Sequence, residues 1–303
     1  MHKLLIPTAI IALSLTALAE DKSKNKKETA QYLQDISVTI KSEGGYNKSE
    51  GSGVLITRQI EGEGVTFVWT AAHVVDNLRN VRSVVDESGA SIKIVEFSDA
   101  QIVKELVEEG RRVGEMKMDA RVVKYSNFDH GHDLALLMVR AKNYGKAGAK
   151  FYLNDEEEIV PIGTQLFHVG SLLGQMGANS MTSGIVSQVG RIKGKVEFDQ
   201  TTVTAFPGSS GGGVYLTNGN YVGMLVRGAG ENFNLIVPIR RMKKWAKENS
   251  LLWALDPKVK MPTFEELKNI PVESSGIKSK SSGKGKSLFE TEFPFLIKTS
   301  TIA

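Results

Sequence analysis

The chain has 303 residues, of which 41% are hydrophobic and 24% charged, with 30 glycines and no cysteine. That allows one large or two ordinary domains and excludes generic disorder, a disulfide scaffold, a thiolate metal site and a cysteine nucleophile. Thirty-eight basic against 34 acidic residues leave a formal charge of +4, too mild and too spread to point to a nucleic-acid partner.

The chain opens MHKLLIPTAIIALSLTALAED, where His2 and Lys3 precede an apolar run from Leu4 to Leu18, and Ala17 and Ala19 stand where a signal peptidase reads small residues. Residues 1–19 therefore read as an export signal, with the periplasm as destination and secretion as the alternative. No later segment has the length of a membrane span, so no stable membrane insertion is expected after signal removal. Residues 20–34 read as a flexible lead-in. Short β-like blocks follow at 52–57, 65–75, 91–97, 119–125 and 132–140. The segment DAQIVKELVEEGRR (99–112), with Ile102, Val103, Leu106 and Val107, predicts an amphipathic helix between them.

A second set of strand-like blocks runs from QLFHVG (165–170) to FNLIVPI (233–239), and IRRMKKWAKENSLLWAL (239–255) has helical spacing at Met242, Trp245, Ala246 and Leu252. This helix is expected to close on the second set. From Pro257 the composition changes: SSGIKSKSSGKGKS (274–287) holds four lysines and no acid, and LFETEFPFLIKTSTIA (288–303) ends on an apolar cluster. The former reads as a basic linker, the latter as a segment for self-docking or homo-oligomer contact. Many short strands in two groups, without strand and helix alternation, favour paired antiparallel barrels.

The chemistry concentrates at FPGSSGGGVYL (206–216), where Ser210 lies between Gly208 and the pair Gly211 and Gly212. Such a cluster is commonly only a turn. Its other use is to expose a serine hydroxyl and aim backbone amides into the same pocket, where they hold a developing oxyanion. A nucleophilic serine needs a base, and the histidines stand at 2, 73, 130, 132 and 168. His73 follows a strand in VWTAAHVVDN (68–77), and Asp133 precedes the alternating run LALLMV. In a triad, Ser210 attacks a carbonyl, His73 takes and returns the proton, and Asp133 fixes the imidazole tautomer.

The blocks TAAHVV (70–75), HDLALL (132–137) and GSSGG (208–212), in that order, resemble the chymotrypsin-like serine proteases, particularly their exported HtrA (Deg) branch. The segment MTSGIVSQVGR (181–191) is similar to the one that precedes the nucleophile there. The resemblance spans roughly residues 35–245. It implies an all-β fold of two orthogonally packed six-stranded antiparallel barrels, the first at 35–150 with His73 and Asp133, the second at 151–240 with Ser210, then a helix at 241–256 and a tail at 257–303. It implies an oxyanion hole from the amides of Gly208 and Ser210, with no cofactor and no metal. Ser209 stands where the family has asparagine and Gly213 where proline is commoner, and the residues after about 250 do not make a PDZ module.

The implied activity is a serine endopeptidase acting on polypeptides as unfolded or exposed extended segments. Its specificity pocket is expected at Thr204, Val226 and Gly228, which offer no charge and so suit an uncharged, small to medium residue on the acyl side of the cleaved bond (P1). The alternative is a catalytically silent protease-fold module that binds or chaperones. His130, His132 and Asp129 read as turn residues before a strand, His168 as a half-buried strand histidine, and Glu156–Glu158 and Arg240, Arg241, Lys243 and Lys244 as solvated faces.

Overall fold

The computed structural model describes residues 27–45, 47–85, 87, 89, 91–129, 131–153, 159–193, 195–228 and 232–273. The export signal, His130, the acidic run 156–158, the basic linker and the terminal apolar segment lie outside the described residues.

Helix α1 covers residues 27–35. The strands β1 (Ser37–Gly44), β2 (Asn47–Ile60) and β3 (Glu63–Thr70) lead into the single turn α2 (Ala72–Val75). A separate ribbon of β4 (Arg79–Val85) and β5 (Ser91–Phe97) precedes β6 (Ala100–Glu108), β7 (Arg111–Ser126) and β8 (Leu134–Lys142). The first sheet runs β1-β2-β3-β8-β7-β6, and β6 pairs back onto β1, making a ring.

Beyond β9 (Lys150–Phe151), the second sheet contains β10 (Gln165–Leu172), β11 (Gly177–Lys193), β12 (Val196–Thr201), β13 (Gly213–Leu216), β14 (Asn220–Gly228) and β15 (Asn234–Pro238). Its order is β13-β10-β11-β12-β15-β14-β9, with β13 also meeting β14. Helices α3 (Ile239–Glu248) and α4 (Phe264–Lys268) follow.

This corrects the expected pair of six-stranded barrels with a single C-terminal helix. The second ring-like sheet has seven strands, because the crossing segment adds β9 in parallel to β14 through Asn220 and Tyr221. Helices also occur at 27–35, 72–75 and 264–268. Helix α1 escapes notice in a charged stretch, yet it is anchored by fully buried Leu33 and by Tyr32, whose hydroxyl donates to the Gly148 carbonyl at 2.9 Å. Helix α4 starts with a capping box between Thr263 and Glu266.

The helix expected at 99–112 is instead the hairpin of β6 and β7. Ile102 and Val103 are buried where β6 pairs with β1, while Leu106 projects into solvent beyond it. The apolar positions thus mark where the strand leaves the core and not one face of a helix. At its tip, Arg112 bridges Glu105 and Glu115 at 2.9 Å each.

Helix α3 is amphipathic, with Ile239, Met242, Trp245 and Ala246 buried, but it serves both sheets. Trp245 meets Trp69 of β3 edge-on at 6.0 Å, and the following turn places Trp253 at 4.9 Å from Phe67. The Trp69 indole donates to the Ala254 carbonyl at 3.1 Å. Burying such a side chain stabilises the fold by about 2–3 kcal/mol, so this aromatic stack fixes β3, and with it the turn that carries His73.

Candidate active site

His73 follows immediately on β3, whose sequence EGVTFVWT is almost wholly buried, and its short turn is pinned by buried Val74 and Val75. Asp133 stands just ahead of β8 with a left-handed φ of 55°. Its amide donates to the Asn127 carbonyl at 3.4 Å, and the His132 amide donates to the Ser126 hydroxyl at 2.9 Å. These bonds direct the Asp133 carboxylate at His73.

Imidazole Nδ1 lies 3.0 Å from both Asp133 carboxylate oxygens, and the His73 amide donates to Oδ1 at 3.1 Å. An ionised carboxylate only accepts, so Nδ1 carries the proton and Nε2 presents its lone pair. Burial alone would raise the Asp133 carboxyl. The facing charge and hydrogen bonds of His73, with the charge of Arg227, outweigh it and hold the group at about 2.

Ser210 reaches the same place through the main chain. Its carbonyl accepts from the Ser52 amide at 2.7 Å, and the Gly211 amide donates to Leu225 at 2.8 Å. Gly211 has φ 88°, and a Cβ there would lie 2.1 Å from the Ser52 carbonyl and 2.3 Å from Thr70 Oγ1. The turn is therefore pressed onto the end of β3, three residues before His73, as only glycine permits. Gly208, at φ 93°, packs as closely on Ser171 and Gly174.

Ser209 is buried, and its hydroxyl accepts from the Phe206 amide at 3.1 Å, so the serine found in place of asparagine locks its own turn. Among the described residues, the Gly208 and Ser210 amides have no internal acceptor, and no hydrogen bond joins the Ser210 hydroxyl to His73.

Four residues at or behind the site were not read from the sequence as part of it. Ser52, in β2, is a hub: its hydroxyl donates to the Gly208 carbonyl and accepts from the Ser171 amide, both at 2.7 Å, and its carbonyl accepts from Thr70 Oγ1 at 2.8 Å. Arg241 is buried in α3 rather than solvated, with its guanidinium donating to the carbonyls of His132 and Glu197 and lying 4.5 Å over the Phe198 ring. Burial lowers it to about 10. Arg240, also expected in solvent, pairs with Asp199 and Glu197. Arg227, from β14, places Nη1 3.1 Å from His73 Nδ1 and 3.5 Å from Nε2. Only the Gly-rich serine motif, and no local pattern, could have pointed to these partners.

The three residues expected to line the specificity pocket are placed less uniformly. Val226 is buried, whereas Thr204 and Gly228 are exposed. Buried Asn234 links their surroundings, since Nδ2 donates to the Val203 carbonyl at 2.6 Å and a Cβ on Gly228 would lie 2.5 Å from Oδ1. His168 is fully buried and not half-buried, with Nδ1 3.0 Å from the Gly213 carbonyl.

Residues 51–224 match the profile of the trypsin-like peptidase domain. The chain belongs to this family. As a trypsin-like serine peptidase it shares its fold with three solved proteins. A serine endoprotease from Yersinia pestis superposes with a TM-score of 0.53 at 19% identity, over 75% of this chain and 66% of that one. The HtrA-type protease AlgW, solved with a tripeptide, gives 0.51 at 18% identity, over 75% and 63%. Deg5 gives 0.52 at 18% identity, over 78% and 98%. The peptidase thus spans just under two thirds of the length of the first two. No curated protein matches it. Among its described residues, no helix is long and apolar enough to cross a membrane.

Proposed function

We propose that this peptidase hydrolyses peptide bonds in unfolded or exposed extended segments through Ser210, His73 and Asp133. The observation that carries the reading is the His73–Asp133 pair, with Nδ1 held 3.0 Å from both carboxylate oxygens, beside a turn that packs Ser210 against the end of β3. Ser210 Oγ attacks the carbonyl carbon as its proton passes to Nε2 of His73. The amides of Gly208 and Ser210 receive the oxyanion, and imidazolium, stabilised by Asp133, returns the proton to the leaving amine. Water, deprotonated by the same nitrogen, then releases the acyl group and restores Ser210.

Thr204, Val226 and Gly228, with Asn234 closing on Gly228, favour an uncharged P1 residue of small to medium size. A peptide library cleaved best after Lys, Arg or Glu contradicts that preference. The apolar opening segment supports an exported, periplasmic setting, to be read by sequencing the mature N-terminus.

The deciding comparison is casein digestion by the native protein and by Ser210→Ala, with fluorophosphonate labelling of the serine. The substitution is expected to abolish labelling and lower turnover by about three orders of magnitude or more. Equal digestion by both proteins, with no label on Ser210, sinks the proposal.

A further inference from the structure

Arg227 has no place in the acyl-transfer steps, yet its guanidinium lies against the group that moves the proton. Nη1 is within 3.1 Å and 3.5 Å of the two imidazole nitrogens of His73, and Nη2 is 3.6 Å from Asp133 Oδ2. The Phe128 ring lies 5.3 Å from the guanidinium carbon, Nη1 also donates to the Val226 carbonyl at 3.0 Å, and only 16% of the side chain is exposed. The cation is therefore held in the cleft wall and does not sweep through solvent.

Arginine only donates hydrogen bonds, and Nδ1 of His73 is itself a donor toward Asp133. The one imidazole acceptor within reach of Arg227 is thus Nε2, the nitrogen that must take the Ser210 proton. In this conformation the guanidinium stands against the ring, nearer Nδ1 than Nε2, and its charge opposes the imidazolium that forms in the proposed reaction. A group that draws Arg227 aside both gains a charge-assisted contact and frees the base. Asp133 is a poor group for this, because its oxygens already receive the ring and the amide of His73.

Side chains alternate along an extended strand. At the irregularity of β14 between Leu225 and Arg227, Leu225 and Val226 are both buried and Arg227 turns toward His73. A substrate lying along the end of β14 alternates likewise. If its P1 side chain enters the region of Thr204 and Gly228, the preceding side chain (P2) faces His73 and Arg227. The group that best satisfies a planar guanidinium is a carboxylate, bound through two parallel hydrogen bonds.

We infer that Arg227 is a specificity-determining residue that selects an acidic side chain at P2 and moves away from the His73 ring when that carboxylate binds. The inference rests on the proposed peptidase reading and adds the chemistry of the substrate residue beside the cut.

The test uses the full-length protein and matched peptides with one uncharged P1 residue and Glu, Gln or Lys at P2. Wild type is expected to favour Glu over Gln by about tenfold or more in kcat/KM, with part of the gain in kcat, as a freed base requires. In Arg227→Ala the Glu-to-Gln ratio falls toward one. In Arg227→Lys it is intermediate, since charge remains without the fork, and in Arg227→Glu the order inverts in favour of Lys. Fluorophosphonate labelling of Ser210 in each variant reports a folded cleft, and protection from labelling by the same peptides reports binding separately. A labelled wild type that treats Glu and Gln alike, or a Glu preference that survives in labelled Arg227→Ala, overturns the inference while the peptidase reading stands. A wild type whose Ser210 takes no label and which cleaves no peptide overturns that reading instead, and this inference with it.

Discussion

On the first sheet's side of the cleft, His73 and Asp133 hold each other through side-chain contacts of 3.0–3.1 Å, and the carboxylate is kept ionised by the charges facing it. On the second sheet's side, Ser210 is placed by main chain: its carbonyl on Ser52, Gly211 against Thr70, and the Gly208 carbonyl under the Ser52 hydroxyl. The His73–Asp133 side is specified by side-chain charge and hydrogen bonds, and the Ser210 side by close packing of glycine backbone on Ser52 and Thr70. The two halves should therefore fail differently, one mainly through chemistry and the other mainly through backbone geometry.

Asp133→Asn gives the larger effect. The amide nearly matches the carboxylate in shape, but it can donate to Nδ1 and so stabilise the wrong imidazole tautomer. A drop in kcat of about 10³–10⁴-fold is expected, as for other triads, with a loss of stability at neutral pH of about 2 kcal/mol, the share that the lowered carboxyl represents. Steady-state kinetics beside a denaturation curve separates the two. A variant that keeps its kcat shows that Asp133 does not orient the base.

Gly211→Ala is the corresponding change on the other side. It adds a methyl group 2.1 Å from the Ser52 carbonyl, at a φ of 88° that an L-residue resists. A loss of about 3 kcal/mol or more is expected, read as a lower urea midpoint, with Ser210 labelling lost in whatever protein remains folded. Normal labelling and an unchanged midpoint would mean that the turn has slack and that close packing does not place the serine.

The same contrast explains what was legible in the sequence. A turn specified by glycine must spell glycine, so Gly208, Ser210, Gly211 and Gly212 stand out, as do the histidine and aspartate beside their strands. Ser52, Arg227 and Arg241 act from β2, β14 and α3, where local sequence carries only strand or helix signals; their meaning arises from register. The fold shows the same division. Regular buried strands such as β3 are plain from their β-branched and aromatic residues, whereas β6 leaves the ring half-way along, and its mixed environment imitates helical periodicity. The two-residue β9 has too few positions to carry any period.

Acid offers the mildest and most graded way to sharpen the comparison. His168 lies in β10 against the turn that carries Ser210, fully buried, with Nδ1 donating to the Gly213 carbonyl at 3.0 Å and Nε2 without a partner among the described residues. Burial lowers it from 6.5 to about 4, against a smaller opposing effect of the Gly213 carbonyl. The unfolded chain thus takes up this proton near pH 6.5 and the folded one only near 4. Its contribution to stability is whole above about 6.5 and is lost as pH falls toward 4, by on the order of 3 kcal/mol at the lower limit. His132, beside Asp133, is lowered to about 4 by burial and then by the Arg241 charge, so it acts in the same window from the first side. Asp133 acts later: its folded value of about 2 lies below the ordinary 3.8, so its contribution persists until pH falls through that lower range. Urea unfolding between pH 6.5 and 4 should therefore report an uptake approaching two protons. His168→Asn can still donate toward the Gly213 carbonyl from the position of Nδ1 but cannot take up a proton, so it is expected to reduce the slope by about one proton while leaving the His132 share. An unchanged slope in that variant would show that the Ser210 side does not supply the acid sensitivity and that both protons enter elsewhere.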